Sequence, residues 1–340
     1  MLLEGKKILV TGGTGSLGKT LVYRLLAGEM GKPERVTVFS RDEAKQHEMR
    51  LEWKHLTTAT DDVVYKESKD LLHFQIGDIR DYHTLLGTVR NYDIIFNAAA
   101  LKQVPACEYF PIEAVQTNII GPHNLVQAIL HSEKAPELVV GVSTDKACKP
   151  INVMGMTKSL QERIFIKANL EAQKTNFLCV RYGNVIASRG SVIPLFKDQI
   201  SKGGPVTITL KEMTRFLLSL DRAVDTIFAA VREGKPGETY IPRCPSAKVV
   251  DIAELMIGNK KISIEYTGIR PGEKIHEILV SEEECFRTLS RGDYYAIQSV
   301  LPELRTEIVK QEALEKEYSS ADHTLNRDSL ASLLRSANYI

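Results

Sequence analysis

The chain has 340 residues, of which 43% are hydrophobic and 26% are charged, and its formal net charge is +1. These values are close to those of globular proteins, so they exclude a disordered or fibrous chain and give no support to binding of nucleic acid or of a membrane surface. No stretch approaches the about 20 apolar residues of a membrane helix, and no signal peptide is recognised before the first apolar run. We therefore expect a cytoplasmic protein.

The five cysteines are scattered along the chain and form no Cys-x-x-Cys pair; they are Cys107, Cys148, Cys179, Cys244 and Cys285. An odd, scattered set predicts reduced thiols rather than a disulfide framework or a zinc site. The eight histidines form no ligand cluster either. We therefore expect no bound metal ion.

Short apolar segments alternate with amphipathic ones in the first half of the chain. After the apolar segment Lys7–Val10, leucines recur at helical spacing in Gly18–Leu26. Further strand candidates follow at Val36–Phe39, Phe74–Ile76, Ile94–Ala98, Leu138–Val142 and Phe177–Val180. Strands that are apolar throughout and are separated by helices predict an α/β fold with a doubly wound parallel sheet.

The composition of the sequence changes after about Asn184. Glycine and proline become frequent there, and the alternation of apolar and amphipathic segments becomes less regular. We expect residues 1–186, with parts of 215–250, to form the sheet domain, and 187–340 to form a second, smaller α/β domain for the substrate with a C-terminal arm. Thr57–Asp70 is predicted to be an exposed loop or helix extension. Glu303–Tyr318 is predicted to be a surface helix or arm.

A glycine-rich turn follows the first predicted strand and opens a helix. Gly12, Gly15 and Gly18 give the spacing G-x-x-G-x-x-G, which allows a tight turn and close contact of the backbone with a pyrophosphate. The helix N-terminus adds N–H groups and partial positive charge. A purely structural glycine turn is the alternative. The predicted dinucleotide contacts in this segment are Gly12, Thr14, Gly15, Ser16, Leu17 and Gly18.

The end of the second strand bears on the choice of cofactor. An acidic residue there binds the ribose diol of NAD, whereas cations suit the 2′-phosphate of NADP. Ser40 and Arg41 occupy the strand end and Lys45 lies one helical turn beyond, which favours NADP. The alternative is NAD, with Asp42 on the diol and both cations solvated.

The ends of the third and fourth predicted strands supply further candidate contacts. An acidic–apolar pair, Asp78 and Ile79, ends the third strand and is expected to flank the adenine. Small residues at the end of the fourth strand allow close approach of a cofactor or simply pack. They are Ala98, Ala99 and Ala100, and they are followed by Lys102, which is expected to contact cofactor or sugar.

The fifth strand ends in a polar segment, Ser143–Lys146. Ligands bind at the carboxyl ends of parallel strands, so Thr144, Asp145 and Lys146 are expected to face the nicotinamide. Met154 and Lys158 follow, one helical turn apart on the same face.

Seven motifs span residues 11–274: Thr11–Gly18, Ala98–Pro105, Ser143–Ala147, Arg181–Val185, Ser188–Pro194, Met213–Phe216 and Arg270–Lys274. Together they resemble the extended short-chain dehydrogenase/reductase superfamily, and within it the nucleotide-sugar 4,6-dehydratases that act on UDP-N-acetylglucosamine in bacterial capsule, flagellin and surface-glycan pathways. The resemblance implies a Rossmann-type NADP-binding domain and a nucleotide-sugar domain. It leaves only the tail of the chain without support.

The resemblance also implies a reaction. C4 of the sugar is oxidised by hydride transfer to NADP⁺, water is eliminated across C5 and C6, and the hydride returns to C6. Lys146, if burial and the charged nicotinamide lower its pKa, is expected to be the C5 base, and Asp145 the C6 acid, with Thr144 assisting. Lys158 and Asn118 are expected to hold the cofactor. The nucleotide sugar is assigned to Lys102, Asn184, Arg189, Val192, Arg215, Arg270 and Glu273.

One departure from the superfamily pattern is Met154, which stands where tyrosine normally accepts a proton. A thioether cannot titrate. A soluble, capsule-type branch of these dehydratases resembles this chain in having methionine there, which leaves the acid–base work to Asp145 and Lys146. The alternatives are a nucleotide-sugar epimerase, a GDP-linked substrate, or an inactive dinucleotide-binding regulator. The resemblance further suggests a homo-oligomer, a dimer with a hexamer as the larger assembly.

Overall fold

The computed structural model describes residues 2–55, 71–186, 192–305, 313–336 and 339–340. Its strands are β1 Lys7–Thr11, β2 Arg35–Ser40, β3 Leu72–Ile76, β4 Ile94–Asn97, β5 Leu138–Val142, β6 Asn176–Val180, β7 Val206–Ile208, β8 Thr214–Phe216, β9 Thr239–Pro242, β10 Ser246–Lys248, β11 Ile264–Tyr266, β12 Ile278–Val280, β13 Thr288–Arg291, β14 Tyr294–Ile297 and β15 Tyr318–Ser319.

The α-helices within those ranges are α1 Ser16–Leu26, α2 Glu43–Trp53, α3 Tyr82–Val89, α4 Val104–Tyr109, α5 Pro111–Val115, α6 Gly121–Leu130, α7 Val153–Glu171, α8 Val192–Ser201, α9 Leu220–Glu233, α10 Val249–Ile257, α11 Glu282–Cys285 and α12 Arg327–Ser336. A π-helical turn, Gln116–Ile120, joins α5 to α6, and 3₁₀ turns lie at Asp145–Ala147 and Pro302–Leu304.

The largest sheet has nine strands in the order β13-β14-β9-β6-β5-β4-β1-β2-β3. Seven of them, from β9 to β3, run parallel, while β14 and β13 are antiparallel additions at one edge. All six strands predicted from the first half of the sequence are present. The strand order reverses at β1, so the carboxyl ends of β1 and β4 border the crevice in which such sheets bind ligands.

Both faces of the sheet are buried, which is why its strands read as continuous apolar runs. In β1, Ile8 and Val10 pack in one core with α1 and α9, whereas Leu9 packs in a second core with α3, α6 and α7. The predicted doubly wound α/β fold is therefore confirmed. Helix α1 begins two residues before the predicted Gly18, because Gly15 already serves as its N-cap.

A third core belongs to the smaller, second half of the fold. It is formed mainly from α8, β7, α10 and α12, with Phe196, Ile208, Ile252 and Leu330 among its buried members. The short sheets here pair β8 with β10, β7 with β11 and β12 with β15. The large sheet also takes in β13 and β14, so the sheet itself crosses the predicted division between 186 and 187.

Two segments predicted from the sequence lie wholly or partly outside the described residues. Thr57–Asp70 lies outside the described residues. In Glu303–Tyr318, the described residues form the end of a 3₁₀ turn at Pro302–Leu304 and the start of β15 at Tyr318. The described part of this segment is therefore not α-helical, so of the two predicted forms, a surface helix or an arm, the helix is not found in it.

Candidate functional site

A cleft of about 780 Å³ lies at the carboxyl ends of the parallel strands. The fold brings most of the predicted site residues to its walls. These are Gly12, Thr14, Gly15, Ser16, Leu17, Gly18, Ser40, Arg41, Lys45, Asp78, Ile79, Ala98, Ala99, Ala100, Lys102, Thr144, Asp145, Lys146, Met154, Lys158, Asn184, Arg215, Arg270 and Glu273. Asn118 and Val192 do not line it, and Arg189 lies outside the described residues.

The glycine turn has no room for side chains at two positions. Gly12 has a φ of +67°, and a Cβ there would lie 2.7 Å from the backbone nitrogen of Ala99. A Cβ on Gly18 would lie 2.5 Å from the carbonyl oxygen of Gly12. Gly15 caps α1 without a side-chain hydrogen bond. The first turn of α1 therefore presents backbone N–H groups to the cleft, as an anion site at a helix N-terminus requires.

The end of β2 carries balanced charge. The side chain of Asp42 accepts a hydrogen bond of 3.0 Å from the backbone nitrogen of Lys45 and also pairs with the Lys45 ammonium group. Arg41 is 55% exposed, and its Nη1 lies 3.7 Å from Oδ2 of Asp78. The carboxylates at this end of the cleft can accept hydrogen bonds from a ribose diol, and the cations can bind a 2′-phosphate. The arrangement of charge is therefore compatible with either dinucleotide.

Asn118 holds the loop that follows β4. It is fully buried in the π-helical turn, where its Oδ1 accepts from the backbone nitrogen of Leu101 at 2.8 Å. Its Nδ2 donates to the carbonyl oxygen of Leu101 at 2.9 Å and to Oγ1 of Thr157 at 3.0 Å. Asn118 thus ties the cleft-lining loop to α7, and the observed contacts give it a structural role rather than the predicted direct contact with a cofactor.

Three charged side chains meet at the end of β5. Nζ of Lys146 donates to Oδ1 of Asp145 at 3.0 Å and lies 3.0 Å from Oε1 of Glu277. Thr144 donates from its hydroxyl to the same Asp145 oxygen at 2.9 Å. Both carboxylates are almost completely buried, whereas the Lys146 side chain is 20% exposed. The lysine is therefore the member of the cluster that faces the cleft most openly.

The cluster sets the protonation of its members. Burial lowers the pKa of Lys146, but Asp145 and Glu277 outweigh it and leave that pKa raised. Burial raises the pKa of Asp145 despite the attraction of Lys146. Burial would also raise the pKa of Glu277, but Lys146 and Arg215 hold it below its ordinary value. The expected lowering of the Lys146 pKa is thus not found, because two carboxylates contact the ammonium group.

Glu277 was not among the predicted site residues. It lies three positions beyond the Arg270–Lys274 motif and immediately before β12. An acidic residue so close to a recognised motif was the available signal. Nothing in the spacing, however, indicated that it would reach a lysine of another strand.

Helix α7 carries the next two predicted residues. Nζ of Lys158 is buried and donates to the carbonyl oxygen of Val142 and to Oε1 of Gln161, at 2.5 and 2.6 Å. Burial lowers the pKa of Lys158 to about 8. Met154 is 5% exposed and packs in a small apolar cluster with Cys107 and Ala114. Its side chain fills space at the edge of the cleft and offers no proton.

The opposite wall of the cleft is polar and comes from the second half of the fold. Arg215 donates to the carbonyl oxygens of Thr214 and Ile275 at 2.7 and 3.0 Å. Arg270 is 58% exposed and lies 4.0 Å from Glu273. Oδ1 of Asn184 is buried and has no hydrogen-bond partner among the described residues. Val192 instead begins α8 and packs against the third core.

Among the described residues, no group of three or more His, Cys, Asp or Glu side chains is arranged to hold a metal ion. Over the same ranges, no helix combines the length and apolar character needed to cross a membrane.

Comparison with known proteins defines the family. The family described as polysaccharide biosynthesis protein matches residues 8–299. The chain belongs to this family. A relative in Rickettsia canadensis is named UDP-glucose 4-epimerase. It is 38% identical to this chain over 346 residues, which cover 98% of this chain and 97% of the relative.

Two solved structures are similar to this chain. The X-ray structure of Pen from Bacillus thuringiensis is 34% identical, has a TM-score of 0.88 and covers 100% of both chains. DesIV, a dTDP-glucose 4,6-dehydratase from Streptomyces venezuelae solved with NAD and TYD, is 21% identical with a TM-score of 0.65, covering 79% of this chain and 86% of its own. The second likeness concerns the fold alone.

Proposed function

We propose that the protein is a UDP-N-acetylglucosamine 4,6-dehydratase that makes a UDP-4-keto-6-deoxy-N-acetylhexosamine for surface polysaccharide or glycan assembly. The observation that carries the proposal is the Asp145–Lys146 pair at the end of β5, joined by Glu277, inside a cleft of dinucleotide-binding type. Elimination of water needs one acid and one base at neighbouring positions. This cluster supplies both kinds of group.

The cleft fits a nicotinamide dinucleotide on its own geometry. Gly12 and Gly18 leave no space for a Cβ, so backbone can approach a pyrophosphate closely at the start of α1. Lys158, held by the carbonyl oxygen of Val142, is the residue for the nicotinamide ribose. Bound here, the dinucleotide would accept a hydride from C4 of the sugar and later return it to C6, so that no net redox change occurs.

The protein's own groups carry the protons of the elimination. As the C5–H bond breaks, its electron pair forms the C5–C6 double bond, and the C6–O bond breaks so that oxygen leaves as water. We assign the C5 proton to Lys146, which returns it to C5 when C6 receives the hydride, and the proton given to the leaving oxygen to Asp145, whose pKa is raised by burial. The proton released from the C4 hydroxyl on oxidation balances the one that Asp145 gives up. Asp145 and Glu277 hold the pKa of Lys146 above its ordinary value, so Lys146 must release a proton before it can accept one from C5, and the limb of the pH profile set by Lys146 should rise with pH.

The polar wall opposite suits the nucleotide. The guanidinium groups of Arg215 and Arg270 can bind a pyrophosphate through charge-assisted hydrogen bonds. Glu273 offers a carboxylate to a ribose diol, and the unpartnered Oδ1 of Asn184 can accept from a ligand donor. Arg189 and Val192 stay predictions of the family resemblance.

A second candidate is a nucleotide-sugar 4-epimerase, because the Rickettsia canadensis relative that matches almost the whole chain is named UDP-glucose 4-epimerase. A 4-epimerase oxidises and reduces C4 and leaves the C5–H and C6–O bonds intact. It therefore has no use for a separate acid and base at C5 and C6, which is why the three-membered cluster favours the dehydratase.

Product NMR in deuterated water separates the two reactions. With UDP-N-acetylglucosamine, the proposal expects the C6 hydroxymethyl group to be replaced by a methyl group beside a C4 ketone. UDP-N-acetylgalactosamine from that substrate, or UDP-galactose from UDP-glucose, with C6 unchanged, would identify an epimerase. No product from either substrate above a boiled control would contradict both. An Asp145→Asn variant should lose the methyl product while still binding UDP.

We further propose that NADP is the preferred dinucleotide, since Arg41 and Lys45 both line the cleft at the end of β2. Arg41→Ala is expected to weaken NADP binding about tenfold or more, the effect of losing one charge-assisted contact of ~1.5–3 kcal/mol, and to leave NAD binding unchanged. Arg80→Ala is the matched control, because Arg80 pairs with the same Asp78 but does not line the cleft. Equal losses for both dinucleotides would contradict the preference.

A further inference from the structure

We propose that Glu277 is a positioning residue for this reaction, which acts through its ion pair with Lys146. The proposal rests on the proposed function, because Lys146 is the assigned base. Glu277 is placed by the second half of the fold, whereas Lys146 follows β5 of the large sheet. Their contact thus links the substrate wall to the catalytic strand end.

The geometry gives Glu277 access to the lysine but not to bulk solvent. Nζ of Lys146 lies 3.0 Å from one oxygen of Glu277, and the Glu277 side chain is 2% exposed. The other oxygen of Glu277, Oε2, is buried and has no hydrogen-bond partner among the described residues. A buried carboxylate oxygen without a partner costs free energy. In an ion pair with a purely structural role, both carboxylate oxygens would be expected to have partners. The unpartnered Oε2 therefore points to a role for Glu277 in the site.

The backbone of Glu277 is fixed from a distant part of the chain. Its nitrogen donates to Oγ of Ser320 at 2.9 Å, and its carbonyl oxygen accepts from the nitrogen of Ser320 at 2.8 Å. Oγ of Ser320 also lies 2.7 Å from Oγ1 of Thr214, which immediately precedes Arg215. The backbone N–H and the carbonyl oxygen of Glu277 are therefore both held, which fixes the position of the Cα from which its side chain reaches the lysine.

Other charges around Lys146 do not replace Glu277. Asp145 contacts the same ammonium group, and Nε of Arg215 lies 3.9 Å from Oε1 of Glu277. Lys274 donates to the carbonyl oxygen of Cys148, and the cation of α7 that lines the same cleft is Lys158, which is bound to Val142 and Gln161. Apart from Asp145, these groups are cations, which oppose the charged state of Lys146. Glu277 is therefore one of the two carboxyl groups that contact the lysine.

Glu277→Gln tests this by removing the charge and keeping the shape, with Glu265→Gln on the exposed strand β11 as the matched control. The first readout is acetylation of Lys146 by acetic anhydride at pH 9, followed by peptide mass spectrometry, which needs no knowledge of the reaction. An adjacent opposite charge shifts a pKa by ~1–3 units. The rate of Lys146 labelling should therefore rise about tenfold or more in Glu277→Gln and stay unchanged in the control.

The second readout is the pH profile of dehydration. The limb of kcat that depends on Lys146 should move to lower pH by a matching amount, with a larger change in kcat than in KM. Glu277→Asp, which keeps the charge but shortens the side chain, should give smaller shifts and covers the case in which the glutamine variant fails to fold. Unchanged labelling and an unchanged limb in both variants would overturn the role of Glu277. Absence of dehydration in the wild-type protein would overturn the proposed function instead, and labelling would still decide whether Glu277 controls the lysine.

Discussion

Replacing Lys146 with methionine is the most direct test of the acid–base cluster. The change keeps an unbranched side chain and removes the ammonium group that lies 3.0 Å from both Asp145 and Glu277. Loss of a general acid–base group costs about 10²- to 10⁴-fold in rate. The kcat for formation of the 4-keto product should fall by about that factor, while NADP and UDP still bind, because the glycine turn and the arginine wall are untouched.

The same substitution has a second, structural consequence. It leaves two nearly buried carboxylates without their shared cation, and removing one partner of a buried ion pair typically costs about 3–5 kcal/mol. One carboxylate is expected to take up a proton, which reduces this cost. The free energy of unfolding, measured in urea at pH 7, should therefore fall by ~3 kcal/mol or less, and by less still at acidic pH.

The assay compares Lys146→Met with Lys167→Met, an exposed lysine on α7 that pairs only with Glu171 among the described contacts. Product formation is followed by NMR, and ligand binding by calorimetric titration. The reasoning fails if Lys146→Met keeps more than about a tenth of the wild-type kcat, a loss below the range for acid–base groups. Loss of dinucleotide binding together with turnover would show instead that the lysine builds the cleft.

Other substitutions test other parts of the fold and site. Gly12→Ala places a Cβ 2.7 Å from a backbone nitrogen, so dinucleotide affinity measured by titration should fall about tenfold or more, ~1.4 kcal/mol; unchanged affinity would mean that the turn does not contact the ligand. Arg181→Met leaves Glu162 and Glu284 buried without their shared partner, and should cost ~3–5 kcal/mol in urea denaturation at pH 7. Although burial alone would raise it, Arg181, with a smaller contribution from Arg287, holds the pKa of Glu284 at about 2 rather than 4.5, so this stabilisation, ~3 kcal/mol, is present above about pH 4.5 and is lost as the pH falls to about 2. The Arg181 variant should show a weaker pH dependence, because Arg287 still contacts Glu284. Met154→Ala should lower stability by ~2–5 kcal/mol, as for other buried methionines, yet change kcat far less than the lysine substitution; a comparable loss of kcat would give the methionine a direct role.

The sheet was predictable because its determinants are local. Each strand in the first half is a short apolar run, and burial of both faces requires that pattern whatever the partners are. Strands β13 and β14 escaped prediction because they are antiparallel additions at an edge of the sheet and because β13, Thr288–Arg291, carries polar and charged residues. Which sheet such segments join is decided by tertiary pairing with β9.

The site was predictable where chemistry follows a strand end. The glycine turn and Ser143–Lys146 reach the cleft because the carboxyl ends of parallel strands meet there, whereas Arg270–Glu273 reaches it from the second half of the fold. The charge state of Lys146 was not predictable, since it depends on Glu277 from a segment 131 positions away in sequence. Asn118 shows the opposite case: the family resemblance suggested a cofactor contact, but its side-chain oxygen and nitrogen are hydrogen-bonded to Leu101 in the loop after β4 and to Thr157 on α7.

Ser320, near the carboxyl end of the chain, forms hydrogen bonds with the backbone nitrogen and the carbonyl oxygen of Glu277. A residue far along the chain thus supports the proposed reaction centre. Ser320 directly follows β15, and the antiparallel pairing of β15 with β12 joins few residues. Shortening the protein from that end removes α12, whose Leu330 is buried in the third core, before it reaches Ser320. A chain that ends before Tyr318 would therefore lose part of the third core together with the hydrogen bonds that hold the backbone of Glu277 beside the lysine.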